Sequence, residues 1–215
     1  MNLTKYKHVI WDWNGTLLDD AWLCVEVINK ILHKRHLPPI THKQYQEEFD
    51  FPVIDFYRKI GFDFAREAFE IVATEYIVEY DKRRFECKLQ NDAMSILRSC
   101  VNGGLTQSIL SAYQQIRLEE IVDYFQARRF FTKLVGLNDY YAGGKIENGK
   151  RLIEELNFNT GEVLLVGDTI HDFEVAKAIG IDCVLCHSGH NSRERLKLCG
   201  ARIMNSIAEV LTLLS

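Results

Sequence analysis

Positive charge is not in excess in this sequence of 215 residues. Its 26 lysines and arginines are outnumbered by 30 aspartates and glutamates, which gives a formal net charge of -4. A mildly acidic chain has no general electrostatic attraction to nucleic acid or anionic membranes. No apolar run approaches the roughly 20 residues that a membrane-spanning helix needs. We therefore expect neither a nucleic-acid nor a membrane partner, and a phosphate-binding site would have to be built locally.

Signals of secretion are also missing. The first residues, MNLTKYKHVIWDW, contain no long apolar segment and no small-residue cleavage site, so we expect a cytoplasmic protein. The cysteines are scattered along the chain rather than arranged as a dense framework. In a reducing compartment they are expected to be free thiols that pack as small apolar side chains. They are Cys24, Cys87, Cys100, Cys183, Cys186 and Cys199.

A zinc site is the alternative for Cys183, Cys186, His187 and His190. The two cysteines lie in IDCVLC, an apolar run that predicts a strand. Side chains three residues apart on a strand point to opposite faces, so the two sulfurs would diverge. The sequence has no second CxxC pair, which further disfavours zinc. The two histidines are then expected to be solvated loop residues.

Strands and helices alternate along most of the chain. Apolar segments predict strands at Lys7–Asp12, at Leu105–Ser111, within Arg128–Gly136, in EVLLVGD, in IDCVLC and, at an edge, in ARIMN. Helices are predicted between them at about 91–101, 113–122 and 172–179, and in RERLKLC. A further helix follows the loop LNDYYAGGK and ends at about residue 156, and a last one begins at a Ser206–Glu209 capping box. This alternation predicts an α/β fold with a Rossmann-like parallel sheet and helices on both faces.

One block, about residues 19–85, has helix signals and no strand signal. Helices are expected after Asp20, after a capping box at Thr41, from Pro52, and after Asp63. We therefore predict a core formed by residues 1–18 and 86–215, with a helical insertion at 19–85.

Polar residues gather where the predicted strands end. Strand one ends at Asp12, followed by Asn14 and Thr16, and later strands end at Ser111 and Asp168. Asp172 follows Asp168 by four residues, and Lys145 precedes a helix. Ligands bind at the carboxyl ends of the strands in open parallel sheets. Clustered carboxylates form a hard oxygen site that favours Mg²⁺, and a lysine, a hydroxyl and backbone N–H groups form a phosphate cradle. The combination predicts phosphoryl transfer.

Each signal taken alone has an ordinary structural explanation. An aspartate at a strand end is more often a helix cap, Ser111 could be a turn hydroxyl, and most lysines are solvated. The GDxxxD segment is stronger, because two adjacent carboxylates repel each other without a cation. The order and spacing of all four signals favour a functional site.

The motifs resemble those of the haloacid dehalogenase superfamily, and most closely its phosphoglycolate-phosphatase-like members. DWNGTLLD, residues 12–19, resembles the first motif, DxDGTLxD. Ser111 after SIL resembles the second, Lys145 is the best match to the third, and GDTIHD resembles the fourth. The resemblance runs from about Lys7 to Cys186 in the family's order. It implies a Mg²⁺-dependent hydrolase of small phosphate esters, and a helical cap over residues 19–85 that closes over the site, excludes water and selects the substrate.

The resemblance also implies a mechanism. Asp12 would attack phosphorus and form an aspartyl-phosphate that water then hydrolyses. Mg²⁺ would contact Asp12, Asp168 and the backbone carbonyl of Asn14, while Asp172 binds the metal or orients its waters.

The phosphoryl oxygens would be held by Ser111, by Lys145 and by N–H groups near Gly15 and Thr16. Lys145 would also pair with Asp168. The family usually has proline after this lysine, where this chain has Ile146, and Lys150 is a rival one turn later.

Asn14 departs from the family pattern, because phosphatases of the family have a second aspartate there as general acid and base. Loss of that catalysis typically costs roughly 10²- to 10⁴-fold. Three interpretations stay open. The enzyme is slow or takes another acid from the cap, such as a histidine; it prefers leaving groups that need no proton, such as acyl phosphates; or it binds a phosphorylated ligand without turnover. Metal-free haloacid dehalogenation is disfavoured by the acidic fourth motif.

Other expectations concern contacts and assembly. Trp22, Tyr45 and Arg58 are candidate substrate contacts from the cap. Trp13 should point away from Asp12, where core packing is as reasonable as a substrate role. A monomer or a homodimer is expected.

Overall fold

A computed structural model describes residues 5–137 and 144–214. Its main sheet has six strands in the order β5-β4-β1-β6-β7-β8, and every neighbouring pair is parallel. The predicted α/β fold class is confirmed. The strands are β1 (His8–Trp11), β4 (Thr106–Gln114), β5 (Lys133–Leu137), β6 (Val163–Gly167), β7 (Asp182–Cys186) and β8 (Arg202–Met204).

Helices connect these strands, as the alternation predicts. They are α5 (Ala93–Asn102), α6 (Gln115–Tyr124), α7 (Lys145–Leu156), α8 (Ile170–Ile179), α9 (Arg193–Leu196) and α10 (Leu211–Leu214). The helix α8 ends at Gly180, whose left-handed backbone (φ 78°) closes the last turn. Because β1 lies between β4 and β6, the carboxyl ends of these three strands share one edge.

The helical insertion is bounded by two short strands, β2 (Leu18–Asp19) and β3 (Lys88–Leu89), which pair antiparallel. Residues 20–87, all described, contain helices and no strand. The helices are α1 (Ala21–Lys34), α2 (His42–Glu48), α3 (Val53–Lys59) and α4 (Phe69–Arg83). The capping box predicted at Thr41 forms with Gln44, and Pro52 precedes α3 as predicted. The domain division at 18/19 and 85/86 stays a prediction.

Four local predictions need correction. α4 begins at Phe69, because Asp63 accepts from Ala65 N–H and closes a turn of its own. β4 runs past Ser111 to Gln114, with a register shift after Leu110, so α6 begins at Gln115. No Ser206–Glu209 capping box forms, because the Glu209 carboxylate accepts from Asn205 instead. Lys145 is the first residue of α7 rather than a loop residue, and most of the loop before it, 138–143, lies outside the described residues.

Both faces of the sheet are covered, as is usual for parallel strands. Val9 and Trp11 pack into the larger core, on the side of the helical insertion, while Ile10 packs into a smaller core on the opposite face. Cys186 belongs to the first core and Cys183 borders the second, so their side chains diverge as predicted. All six cysteines are free.

The buried histidine at the start of β1 makes folding stability sensitive to acid. His8 lies between the hydroxyls of Thr106 and Ser108, at 2.7 and 2.8 Å, and burial lowers its pKa to about 4. The unfolded chain, with a histidine pKa of about 6.5, therefore takes up this proton first. Neutral His8 therefore contributes about 3 kcal/mol to the free energy of unfolding. This contribution is present above about pH 6.5 and is lost as the pH falls to about 4.

We expect urea unfolding at pH 7, 6, 5 and 4 to show a steep loss of the free energy of unfolding, and a shallower loss in His8→Gln. The exposed His42 supplies the matched control, His42→Gln, which should keep the wild-type slope. Equal slopes in wild type and His8→Gln would contradict a neutral, buried His8.

Candidate active site

Three buried aspartates meet at the carboxyl edge of the sheet. Asp12 follows β1 and Asp168 follows β6, and these strands are paired with Trp11 opposite Val166. Asp172 lies in the first turn of α8. One oxygen from each of the three carboxylates lies within 4.8 Å of the others. The pairing of two strands and the start of one helix thus bring the predicted metal ligands together.

Lys145 completes this cluster. Its Nζ atom lies 2.5 Å from Asp12 Oδ1 and 2.6 Å from Asp172 Oδ1, and the residue is only 2% exposed. The pairing predicted with Asp168 is replaced by these two contacts. Lys150, the rival, is an exposed partner of Glu147. Although burial opposes the charge of Lys145, Asp12 and Asp172 outweigh it and raise the pKa of the ammonium group.

The two carboxylate oxygens of Asp172 make different contacts. Its Oδ2 atom accepts from the backbone N–H groups of Asp168 and Thr169 and from the Thr169 hydroxyl, while Oδ1 contacts Lys145. Thr169 in turn accepts from Asp172 N–H and caps α8. The same carboxylate therefore fixes the turn after β6 and orients the lysine beside Asp12.

In the turn after Asp12, two residues that were predicted to donate hydrogen bonds to phosphate donate instead to carboxylates of the protein. Gly15 adopts φ +77°, a left-handed conformation that favours glycine, and its N–H donates to Asp20 Oδ1 at 2.8 Å. The Thr16 hydroxyl donates to Asp168 Oδ1 at 2.7 Å. In this arrangement Gly15 and Thr16 hold carboxylates in position.

Ser111 is brought to the same place by β4. The residue is 1% exposed, its hydroxyl accepts from Tyr113 N–H at 3.1 Å, and it lines the cavity that also contains Asp12 and Lys145. The register shift in β4 falls at this position, where the chain leaves regular pairing. A strand irregularity beside a cavity often redirects a side chain toward a ligand.

Asp20 is the principal site residue that the sequence did not reveal beyond a helix-capping role. Its carboxylate is fully buried and accepts from Asn14 Nδ2 at 2.8 Å and from the Tyr80 hydroxyl at 2.6 Å. It gives α1 no side-chain cap hydrogen bond. Burial opposes its charge, but His190 and these donors together hold the pKa of Asp20 below its usual value.

His190 is not the solvated loop residue that the sequence predicts. It is 6% exposed, and its ring lies 2.8 Å from the Tyr45 hydroxyl and 3.4 Å from Asp20 Oδ1. Its backbone N–H donates to Asp168 Oδ2 at 2.6 Å. Burial opposes its charge, but the neighbouring carboxylates, Asp20 above all, raise the pKa of His190 to about 9.

The carboxylates fit a divalent cation. Burial raises the pKa of Asp12 to about 8 and that of Asp168 to about 6. The neighbouring carboxylates add to this rise, while Lys145 opposes it at Asp12 and His190 opposes it at Asp168. The four buried aspartates described above face two buried cations, Lys145 and His190. Two negative charges remain when all groups are ionised, and a set of buried carboxylate oxygens is the donor set that Mg²⁺ prefers.

A cavity of about 230 Å³ lies above Asp12 and Lys145 and is walled on its other side by the helical insertion. Tyr45 lines it, whereas Trp22 and Arg58 are not among its lining residues. Trp22 donates to the Asp19 carbonyl, and Arg58 pairs with Asp55 at the surface. Trp13 is fully buried in the larger core and does not line the cavity, which favours packing over a substrate role.

These features define an α/β enzyme with an acidic site at the carboxyl edge of a parallel sheet. Residues 9–186 match the haloacid dehalogenase-like hydrolase family. The chain belongs to that family and is a hydrolase, as its motifs predict. Among the residues that the structure describes, no helix is long and apolar enough to span a membrane.

Individual relatives are distant in sequence. A 5'-nucleotidase from Pseudomonas aeruginosa is 22% identical over 200 residues, which cover 90% of this chain and 88% of that protein. A haloacid dehalogenase-like family protein from Streptococcus pneumoniae has a TM-score of 0.85 at 15% identity, covering 99% of this chain and 100% of its own. A predicted phosphoglycolate phosphatase from Haemophilus somnus has a TM-score of 0.82 at 15% identity, with 100% of both chains covered. The two structures share the fold.

Proposed function

We propose that this hydrolase is a Mg²⁺-dependent phosphatase of small phosphate monoesters, acting through an aspartyl-phosphate on Asp12. The observation that carries the proposal is the position of Asp12 at the floor of the cavity, beside Lys145 and the two other metal-site carboxylates. The names of the distant relatives, a nucleotidase and a phosphoglycolate phosphatase, support phosphate-ester chemistry. The helical insertion over residues 19–85 would serve as the lid that encloses the substrate.

Asp12, Asp168 and Asp172 would hold the metal, with the backbone carbonyl of Asn14 as a further ligand. When bound, Mg²⁺ neutralises charge on the phosphoryl group and on the carboxylates around it. Gly15 and Thr16 would act indirectly, because Gly15 N–H donates to Asp20 and the Thr16 hydroxyl donates to Asp168, which holds these carboxylates in place.

Asp12 forms the new bond to phosphorus, and its carboxylate is the leaving group when water attacks. Lys145 holds Asp12 and Asp172 and is positioned to neutralise a phosphoryl oxygen. Ser111 offers its hydroxyl to another oxygen from β4. These groups are prearranged and largely shielded from water, which is the condition under which such contacts stabilise a transition state most.

Asn14 supports a second candidate function, turnover restricted to good leaving groups or binding with weak turnover. Its amide donates to Asp20 Oδ2 and to the Tyr80 hydroxyl, at 2.8 and 3.0 Å. An amide held in this way supplies no proton to a leaving oxygen. Acyl phosphates and aryl phosphates need little protonation and are favoured by this feature.

The proposal is tested with 4-nitrophenyl phosphate and protein stripped of metal by chelation. Turnover should be absent without Mg²⁺ and restored by it, and Mg²⁺ should raise the melting temperature of the wild type but not of Asp168→Asn. Asp123→Asn, a change of the same kind in an exposed ion pair on α6, should behave like the wild type. Turnover that is unaffected by chelation or by Asp168→Asn would contradict the proposal.

Gly189 gives a sharper probe of the metal site. A Cβ atom there would lie 2.1 Å from Asp168 Oδ2 and 2.7 Å from the Gly15 carbonyl oxygen, so Gly189→Ala must displace Asp168. We expect the Mg²⁺ concentration for half-maximal activity to rise by about 10- to 100-fold. Gly161→Ala is the matched control, because a Cβ there has no atom within 4 Å. Equal Mg²⁺ dependence in the two variants would show that Asp168 does not hold the metal.

A further inference from the structure

We infer that the leaving group of the substrate is a neutral aromatic ring carried on the phosphate oxygen, as in an aryl phosphate. The inference rests on the proposed function and names its substrate class. Two independent features carry it, the lining of the cavity and the amide at Asn14.

The helical insertion supplies a wall without positive charge. Fifteen cavity-lining residues belong to the segment that runs from Asp20 to Asp81, with both ends included. Eight of them are phenylalanine or tyrosine, and none is lysine, arginine or histidine. Asp20 and Asp81 are the acidic members of this set. A carboxylate or second phosphate on the leaving group would lose its water there without gaining a cation, which is costly.

Among the described residues, each basic side chain on the core side of the cavity has a carboxylate within 4 Å. For His171 this is Glu174, which lies 3.7 Å from Nδ1, while the buried Nε2 atom has no hydrogen-bond partner among these residues. Lys145 contacts two carboxylates in the metal cluster, and His190 faces Asp20. Arg117 Nε lies 3.0 Å from Asp81 Oδ2. Together with the wall that lacks positive charge, this arrangement disfavours phosphoglycolate, whose leaving group bears a carboxylate.

The aromatic wall is ordered by contacts among its own rings. Tyr45 stacks on Phe49 with centroids 5.0 Å apart, and Phe56 meets Tyr45 and Phe49 edge-on at 5.7 and 5.5 Å. Such rings present flat, rigid faces that favour an aromatic ligand. The cavity volume of about 230 Å³ is below the range of roughly 300–1,000 Å³ typical for drug-sized ligands, which limits the leaving group to a small ring system.

The chemistry at Asn14 points to the same class. As the Asp12–phosphorus bond forms, the bond from phosphorus to the phenolic oxygen breaks and the electron pair leaves on that oxygen. A phenolate is stable enough to depart unprotonated and takes its proton from water afterwards, whereas an alkoxide requires a proton donor in the transition state. Water then attacks phosphorus, inorganic phosphate is released, and the Asp12 carboxylate is regenerated.

The test compares phenyl phosphate with 4-carboxyphenyl phosphate, a pair that differs by one negative charge remote from the reacting bond. We expect kcat/KM to be at least about 10-fold higher for phenyl phosphate, and lower again for phosphoglycolate. Ile77→Arg adds a cation to the cavity wall on α4 and should reduce the phenyl-to-carboxyphenyl ratio by about 10-fold. Val78→Arg adds the same charge at the next, exposed position and should leave the ratio unchanged.

Asp12-dependent turnover with equal or reversed preference for the carboxylated ester would overturn this inference while leaving the proposed function standing. A ratio that Ile77→Arg does not change would overturn the assignment of the cavity to the leaving group. If none of the esters is hydrolysed in the presence of Mg²⁺, the proposed function falls and the inference with it. The wild-type comparison decides the matter even if the arginine variant does not fold.

Discussion

Replacing Asp12 with asparagine should lower kcat for 4-nitrophenyl phosphate by about 10⁴-fold or more, the scale of effect seen when an enzyme loses its nucleophile. An amide does not displace the leaving group, and the other two carboxylates of the described metal cluster are held in place by contacts of their own. Asp168 is held by the Thr16 hydroxyl and His190 N–H, and Asp172 by the turn after β6. The variant should stay folded, because it removes a buried carboxylate whose charge the surroundings disfavour.

The matched control for this substitution is Asp182→Asn. Asp182 is the first residue of β7, at the opposite end of the sheet, where its carboxylate accepts from the Tyr6 hydroxyl and pairs with Lys5. We expect its kcat to stay within about two-fold of wild type, since surface substitutions remote from a site have small effects. Initial rates at saturating substrate and Mg²⁺ measure both variants, with circular dichroism to confirm folding. An Asp12→Asn enzyme with near wild-type kcat would exclude Asp12 as the nucleophile.

Exchanging the amide and the carboxylate at positions 14 and 20 should turn the enzyme into a better catalyst for alkyl phosphates. Asn14 Nδ2 lies 2.8 Å from Asp20 Oδ2, so the double variant Asn14→Asp/Asp20→Asn keeps one amide and one carboxylate in contact. The number of charges is unchanged, while the carboxylate moves to the place where the family has its general acid. We expect kcat/KM for an alkyl phosphate to rise by about 10²-fold, and that for 4-nitrophenyl phosphate to change little.

The single substitutions separate charge placement from simple loss of a contact. Asn14→Asp alone sets two buried carboxylates against each other and should destabilise the fold. Asp20→Asn alone leaves the buried His190 without its nearest counter-ion and should not accelerate alkyl esters. Melting temperatures and rates of all three variants complete the comparison. An unchanged rate on alkyl phosphates in a folded double variant would show that the missing acid at Asn14 does not limit turnover.

The residues of the site that sequence could predict are those fixed by local pattern. Asp12 ends an apolar run and precedes a turn, and Asp168 ends another such run, so strand pairing alone brings them together. Lys145 is harder to identify from sequence, because only its contacts with Asp12 and Asp172 in the folded chain distinguish it from the solvated Lys150.

Asp20 and His190 could not be recognised in this way, because their environment is made by distant parts of the chain. HSGHNS has the composition of an exposed loop, yet Tyr45 of α2 covers the His190 ring. In the sequence Asp20 precedes a helix and so resembles a helix cap. In the structure the hydroxyl of Tyr80, from the end of the insertion, donates a hydrogen bond to its carboxylate. The sequence contains one indication of Asp20, the amide at Asn14. Where a family's usual carboxylate is missing, another carboxylate close in sequence is a candidate member of the site.

We propose that Asp12 accepts the phosphoryl group, and that hydrolysis of the resulting aspartyl-phosphate is slow because Asn14 replaces the usual general base. Rapid mixing of the Mg²⁺-loaded enzyme with excess 4-nitrophenyl phosphate tests it directly. We expect a burst of 4-nitrophenol close to one equivalent per chain, followed by a slower steady rate. Mass spectrometry of the acid-quenched protein should locate one phosphoryl group on Asp12. Linear release without a burst, with no phosphoryl group on Asp12, would contradict it.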